Sequence, residues 1–310
     1  VKNMSINRAA IKGNVAVLYG GSSSEREVSL KSGQAVLEAF AQLGLDVMPI
    51  DCDFHQLSDV LKEQNIRHCF NILHGGYGEN GEVQALLDSL GISCTGSGVL
   101  GCAIAMDKYR TKLLFKGADI PTAEFAVVDA ESQWAAVSGK LGNKMMIKPA
   151  NEGSSIGMSI VENEAAFIEA MALALRYDSN VIAEKWINGP EYTAAILNGR
   201  ALPVIKLETD NSFYDYQAKY ISNETRYLCP CGLSAEDEAV VQDIALKAFN
   251  ALGCAGWGRL DVMRDSDGTF YLLEANTVPG MTDHSLVPMA AKAAGISFDQ
   301  LVAEIFNQSL

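Results

Sequence analysis

Gly258-Arg-Leu-Asp-Val-Met-Arg-Asp-Ser-Asp-Gly-Thr-Phe-Tyr-Leu-Leu-Glu-Ala-Asn276 reads as two alternating strands joined at Asp267-Gly268. Asp-Gly between alternating apolar positions is a strong two-residue hairpin signal. With that turn Ser266 faces Thr269, which sets Asp261 opposite Glu274, Arg259 opposite Asn276 and Met263 opposite Leu272. Side chains alternate along a strand, so these six share one face. Leu260, Val262, Tyr271, Leu273 and Ala275 then form the core-facing side. Two carboxylates opposed at a Cβ separation of roughly 5 Å repel each other, and a cation is expected between them. Asp261, Glu274 and the Asn276 carbonyl make an all-oxygen set suited to Mg²⁺, an ion that also takes substrate phosphates. The competing reading is a solvated hairpin face, and the adjoining Met263 and Leu272 speak against it.

The other 291 or so positions must supply what a phosphate-handling hairpin needs, and composition bounds how. A chain of 310 residues, 48% apolar and without low-complexity tracts, is expected to form two or three domains with real cores. The run Val99–Met106 is too short to span a bilayer, and Val1 to Gly13 lacks the apolar segment of a signal peptide. Seven cysteines, an odd number without framework spacing, suit a reducing cytosol, so a cytoplasmic protein is expected. Cys229-Pro230-Cys231 has no matching Cys or His pair and reads as loop chemistry, not half of a zinc site. A net charge of −14 disfavours nucleic acid and anionic membrane as partners. Positive charge for phosphates must then be gathered locally, which directs attention to Arg259 and the scattered lysines.

Upstream, the apolar run Val15–Tyr19 ends in Gly20-Gly21 and is followed by Ser22-Ser-Ser-Glu25-Arg-Glu27. The pattern predicts a strand, a tight turn and a helix start with serine caps and acids in its first turn. Glu25 reads either as a capping acid or as a carboxylate facing a ligand at the strand's carboxyl end, where open α/β sheets bind. A helix over 31–43, a strand over 46–51, a helix over 57–64 and a strand over 68–73 continue the alternation of a parallel sheet. That last strand runs into His74-Gly-Gly-Tyr-Gly-Glu-Asn-Gly-Glu82, whose four glycines mark close backbone approach or sharp turning. His74 is a site candidate beside them, while His55 and His68 read as structural. A basic helix carrying Lys108, Arg110 and Lys112 ends at Gly117, and a boundary falls near residue 107. Lys144 to Val161 predicts two short strands around a Gly/Ser loop containing Gly153, Ser154, Ser155 and Gly157. It is either an ordinary hairpin or a loop closing over phosphates beside Lys148. The strand from Val181 breaks at Gly189-Pro190, a natural crossing between domains. Glu208 to Tyr227 is polar and aromatic with little periodicity, as in a lid, and a helix over 236–252 leads into the hairpin.

In chain order, G-G-S-S-S-E-R-E-V-S-L, L-H-G-G-Y-G-E-N-G, M-D-K, I-K-P-A-N-E-G-S-S-I-G-M-S, E-K-W-I-N-G-P-E, F-Y-D-Y-Q-A-K-Y, G-W-G-R-L-D-V-M and L-L-E-A-N-T-V-P-G-M-T-D-H-S-L together resemble the ATP-grasp carboxylate–amine ligases. Among these, the chain is similar to the D-alanine–D-alanine ligases over essentially everything after residue 14. The resemblance implies an α/β, partly α+β, ATP-grasp architecture. It places an N-terminal parallel-sheet domain over residues 1–107 and two α+β subdomains, 108–188 and 189–310, that clasp ATP. It implies Lys108 and Lys148 on the phosphates, Glu184, Lys185, Trp186 and Ile187 along the adenine, Glu191 at the ribose and Lys219 toward the γ-phosphate. Asp261, Glu274 and Asn276 would hold two Mg²⁺, or Mn²⁺ in their place, in agreement with the hairpin reading. Glu25 would orient the ammonium of the first D-alanine, joined by Ser154 and Tyr220, with His74 nearby. Arg259 and the Gly280 N–H would stabilise an oxyanion, and Ser285 and Leu286 would receive the second substrate's carboxylate. The family also implies small-molecule substrates, a homodimer and a place in peptidoglycan precursor synthesis.

Three other functions compete with dipeptide ligation. A ligase joining D-alanine to D-lactate is similar in every respect but tends to lack the tyrosine found here at Tyr220. A non-catalytic nucleotide or amino-acid sensor would have no need of Arg259. A nicotinamide dehydrogenase would carry G-x-G-x-x-G after the first strand, which is absent.

Overall fold

The computed structural model describes residues 5–208, 225–282 and 284–310. Lys219, Tyr220, most of the expected lid segment and Asp283 lie outside the described residues.

Four strands, β1 (Asn14–Tyr19), β2 (Met48–Asp51), β3 (Ile66–Asn71) and β4 (Ser93–Cys94), form the expected parallel sheet in the order β2-β1-β3-β4. Val15 to Leu18 are all buried, because a parallel strand is covered on both faces and a continuous apolar run satisfies both. The covering helices in this part are α1 (Arg26–Gln42), α2 (Phe54–Glu63) and α3 (Glu82–Ser89). The first of them starts earlier than the 31–43 span predicted. Its N-cap is Glu25, not a serine, and the Glu25 side chain makes no capping bond. Gly20 turns the chain there at φ +74°, where a Cβ would come within 2.1 Å of an Asp51 carboxylate oxygen.

The apolar run Val99–Met106 is helix α4, joined through Asp107 to α5 (Lys108–Gly117). The Asp107 carboxylate caps α5 by accepting the Arg110 N–H at 2.9 Å. A second sheet of β5 (Phe125–Val128), β6 (Met145–Pro149), β7 (Ser159–Val161) and β8 (Val181–Lys185) is antiparallel in the order β5-β8-β6-β7. Helices α6 (Trp134–Leu141) and α7 (Glu164–Ala174) bury Val137 and Phe167 against its Met145, Ile147 and Val181. The third sheet contains β9 (Glu191–Leu197), β10 (Arg200–Ala201), β11 (Ile205–Glu208), β12 (Arg226–Leu228), β13 (Trp257–Arg264) and β14 (Phe270–Asn276). Its order is β12-β11-β9-β13-β14, with β10 beside β9. Helix α8 (Ala235–Ala251) packs Val241, Ala245 and Phe249 into its core. The last helices, α9 (Leu286–Ala293) and α10 (Phe298–Asn307), return to the first sheet. There Phe40 stands edge-on to Phe306 at 5.3 Å and to Phe70 at 5.7 Å, contacts that each contribute about 0.5–1.5 kcal/mol beyond area burial. Among the described residues no helix is long and apolar enough to cross a membrane.

The opening hairpin reaches the expected pairs by a different route. The turn is a three-residue loop, Ser266 to Gly268, with Arg264 opposite Phe270 and Gly268 left-handed at φ +87°. The Asp265 carboxylate widens it by accepting the N–H groups of Asp267 and Thr269 at 3.0 and 2.9 Å. That shifts the pairing by one, so Val262 faces Leu272 and Met263 faces Tyr271, where Met263 against Leu272 was expected. A bulge at Leu273 shifts it back, and Asp261 stands opposite Glu274 and Arg259 opposite Asn276. Leu272 therefore belongs to the core, fully buried with Val262, while Tyr271 and Leu273 are only partly buried.

Candidate active site

The first corner of the site joins α1 to the loop between β6 and β7. The Ser154 hydroxyl donates a short hydrogen bond to the Glu25 carboxylate, across 129 residues of sequence. Ser154 and Ser155 are left-handed at φ +51° and +61°, conformations that cost of order 1–3 kcal/mol each and persist only where surroundings impose them. Gly75 and Gly153 flank the same carboxylate, and a Cβ on either would stand 2.8 or 3.0 Å from Glu25 Oε2. Of the two readings, the capping one does not hold, since the Glu25 side chain turns from the helix N-terminus to Ser154.

His74 ends β3's continuation with both ring nitrogens engaged. Nδ1 lies 2.8 Å from the Val278 carbonyl, which can only accept, so Nδ1 carries the proton and Nε2 accepts from Ser32 Oγ at 3.2 Å. Burial holds its pKa below the usual value, with the Glu25 charge partly opposing. Ser32 also accepts the Met281 N–H at 3.1 Å, which fixes the segment after β14 against α1. His68 accepts the Lys12 N–H at 3.1 Å and is structural, as read.

Glu79 was not singled out by sequence, because the glycines around it drew the reading to backbone. It accepts the Gly75 N–H at 2.7 Å, and burial, reinforced by the Glu25 carboxylate, pushes its pKa from 4.5 up to about 8. A carboxyl raised on folding holds its proton more tightly in the native state. Its contribution to stability is complete below pH 4.5 and lost as pH rises toward 8. Glu79→Gln is expected to flatten the fall of unfolding free energy across that window, measured by denaturant titration at successive pH values. An unchanged slope would contradict the assignment.

On the hairpin, Asp261 is saturated: Arg259 donates from Nε and Nη2 at 2.9 and 2.8 Å, Thr193 Oγ1 at 2.8 Å and Asn276 Nδ2 at 3.1 Å. The Asn276 amide nitrogen faces Asp261, so its carbonyl oxygen remains as a donor atom. Glu274 Oε2 lies 3.6 Å from Lys108 Nζ, which also donates to the Glu152 carbonyl at 2.6 Å. Among the described residues no three His, Cys, Asp or Glu side chains converge on a metal position. Two carboxylates and one amide oxygen suit Mg²⁺, with waters and substrate phosphates in its remaining positions, once Asp261 gives up one of its four hydrogen bonds to the ion. Glu79, Lys108, Ser154, Glu274 and Asn276 line one cavity of about 40 Å³. It lies where the Glu25–Ser154 corner meets the hairpin.

Along the expected nucleotide edge, Glu184 is buried between two lysines. Lys148 Nζ donates to one carboxylate oxygen at 2.8 Å, and Lys112 Nζ lies 2.5 Å from the other. In the sequence Lys112 is only one cation of a basic helix, and its sole signal is a place on the helix face that also bears Lys108. Lys185 is exposed, Trp186 carries the Lys144 ammonium 5.1 Å from its ring centroid, Ile187 is partly buried, and Glu191 opens β9 opposite Met263. At the far end a Cβ on Gly280 would stand 2.8 Å from Ser285 Oγ. Ser285 Oγ accepts the Thr282 N–H at 2.9 Å at the start of α9, and Leu286 is buried behind it. The seven cysteines are free thiols, and burial pushes Cys52 and Cys102 up to about 12, which leaves no activated thiolate there.

A family profile described as D-ala D-ala ligase C-terminus matches residues 114–307. The D-alanine–D-alanine ligase of Pseudomonas entomophila strain L48 is 53% identical over 298 residues, covering 96% of this chain and 93% of that protein. The crystal structure of D-alanine–D-alanine ligase from Bacillus anthracis aligns at a TM-score of 0.85 and 34% identity, covering 96% of this chain and 97% of that one. The same organism's enzyme complexed with ATP aligns at 0.83 and 31%, with the same coverage. A parallel sheet followed by two antiparallel sheets, with a carboxylate hairpin facing a Gly/Ser loop, is here the ATP-grasp fold of the carboxylate–amine ligases. Within that class, the chain belongs to the D-alanine–D-alanine ligase family.

Proposed function

We propose that this protein joins two D-alanines into D-alanyl-D-alanine at the expense of ATP, releasing ADP and phosphate, as a cytoplasmic step toward peptidoglycan precursors. One observation carries the reading: Ser154, hydrogen-bonded to Glu25, lines a single cavity together with Lys108 and with Glu274 and Asn276 of the hairpin. An ammonium held at Glu25 would present its carboxylate toward the hairpin, where a γ-phosphoryl group would arrive.

A carboxylate resists attack by an amine until one oxygen becomes a leaving group, and phosphorylation to D-alanyl phosphate makes it one. Phosphoryl transfer needs positioning and cations more than covalent help. Lys108 and Lys148 supply two of these cations, Asp261, Glu274 and the Asn276 carbonyl would hold Mg²⁺, and the ions would neutralise charge on the transferring phosphoryl oxygens. The second amine then attacks the acyl carbon, and the Arg259 guanidinium and the Gly280 N–H are suited to the oxyanion that develops. The amino terminus of α9, with Ser285 and Leu286, favours the second carboxylate through its unpaired N–H groups. The roles of Lys219 at the γ-phosphate and Tyr220 beside Ser154 rest on the family resemblance.

D-alanine, L-alanine and D-lactate, offered singly and in pairs with ATP, test the reading by phosphate release. D-alanine alone should support turnover, and D-lactate should not enter the product at neutral pH. Release that ignores D-alanine would overturn the function, and equal use of D-lactate would replace it with depsipeptide ligation.

A further inference from the structure

We propose that Lys112 is a positioning residue for the nucleotide site, serving as the standing counter-ion of Glu184 so that Lys148 is able to turn to phosphate. The inference rests on the ATP-dependent reading above.

The three side chains are 1%, 4% and 9% exposed for Lys112, Glu184 and Lys148. Two lysines share one carboxylate in a nearly dry place. Burial and then Lys148 hold the Lys112 pKa below its usual value, with Glu184 and more weakly Glu274 opposing, and an anion bound beside Lys148 would relieve the crowding of positive charge. The two lysines are not equivalent. Lys112 is sealed in and held on its other side by Thr122, whose Oγ1 lies 2.7 Å away and donates in turn to the Leu272 carbonyl at 2.9 Å. Lys148 sits on β6 just before the Gly/Ser loop, and its hydrogen bond among the described residues is to Glu184. Burial is the largest influence on Glu184 and pushes its pKa up. Lys112 and then Lys148 reverse this and hold it below the usual carboxylate value. When a phosphate draws Lys148 away, Glu184 stays paired with Lys112. Without Lys112, the same movement would strand a buried carboxylate, so Lys148 would be held back from the nucleotide.

Lys112→Met leaves Glu184 and Lys148 as a matched pair, and a folded protein is expected. Binding of ADP and of adenosine to wild type, Lys112→Met, Glu184→Gln and the double variant Lys112→Met/Glu184→Gln is read by titration calorimetry. ADP should weaken about tenfold in Lys112→Met while adenosine changes by less than about threefold, and with Glu184 already neutralised the further change Lys112→Met should alter ADP affinity by less than about twofold. Simple structural damage would weaken both ligands in either background. ADP affinity of Lys112→Met within about twofold of wild type, or an equal loss in the two backgrounds, would overturn the proposal. If Lys112→Met does not fold, Thr122→Val removes the anchor and keeps the charge. A loss of about threefold for ADP alone supports the proposal, and no loss overturns it. A wild type that binds no ADP would sink the ligase reading itself, an outcome distinct from a wild type that binds ADP and a variant that binds it equally.

Discussion

Glu274→Gln is expected to lower turnover by about 10²- to 10³-fold with the fold intact. Glutamine keeps the shape of the side chain and removes the charge that faces Asp261 across β13 and β14. A bound divalent ion contributes several kcal/mol of stabilisation to the transferring phosphoryl group, and each 1.36 kcal/mol is a decade of rate. Glu274 is only partly buried, and its Lys108 contact is long at 3.6 Å, so that ion pair contributes little to stability. Phosphate release measured against Mg²⁺ concentration should show a higher half-saturation and partial recovery at high Mg²⁺. Wild-type turnover at ordinary Mg²⁺ would remove Glu274 from the site.

Arg259→Met should act on stability and turnover together. Its guanidinium holds both oxygens of Asp261, and the two side chains are 14% and 7% exposed. Removing one partner of a buried ion pair costs about 3–5 kcal/mol. Thr193 and Asn276 still donate to Asp261, so the lower end of that range is expected. Arg259→Lys separates the two effects, because an ammonium keeps the charge without the fork. It should melt near wild type yet turn over about 10²-fold more slowly, the loss typical of one oxyanion donor. A lysine variant with normal kcat would leave Arg259 as a structural partner of Asp261 alone.

Period and punctuation carried the elements into view. The apolar run Val15–Tyr19, the Gly/Ser loop between β6 and β7 and the break at Gly189-Pro190 are local signals, and the structure follows them. The hairpin shows where local signals stop. Asp267-Gly268 suggests a two-residue turn, but the Asp265 carboxylate organises a three-residue loop, and only the bulge at Leu273 returns Asp261 to Glu274. The site pairs were therefore read correctly while the core assignment of Leu272 was not. Long-range partners were less legible still. No local signal near Glu25 announces Ser154, a partnership that the family resemblance alone implies, and nothing in the basic helix announces that Lys112 is buried against Glu184. Likewise Phe306 reaches Phe40 only because α10 comes back to the first sheet. Such contacts depend on how the sheets meet, which no window of sequence contains.

The acyl phosphate is the step in which the proposed function engages Glu25, Ser154, Lys108 and the hairpin. It leaves a direct isotopic trace. D-alanine labelled with ¹⁸O in its carboxylate should transfer one labelled oxygen to inorganic phosphate for each dipeptide formed, because the oxygen that attacks phosphorus departs with it. Phosphate released without the label while dipeptide accumulates would contradict the account.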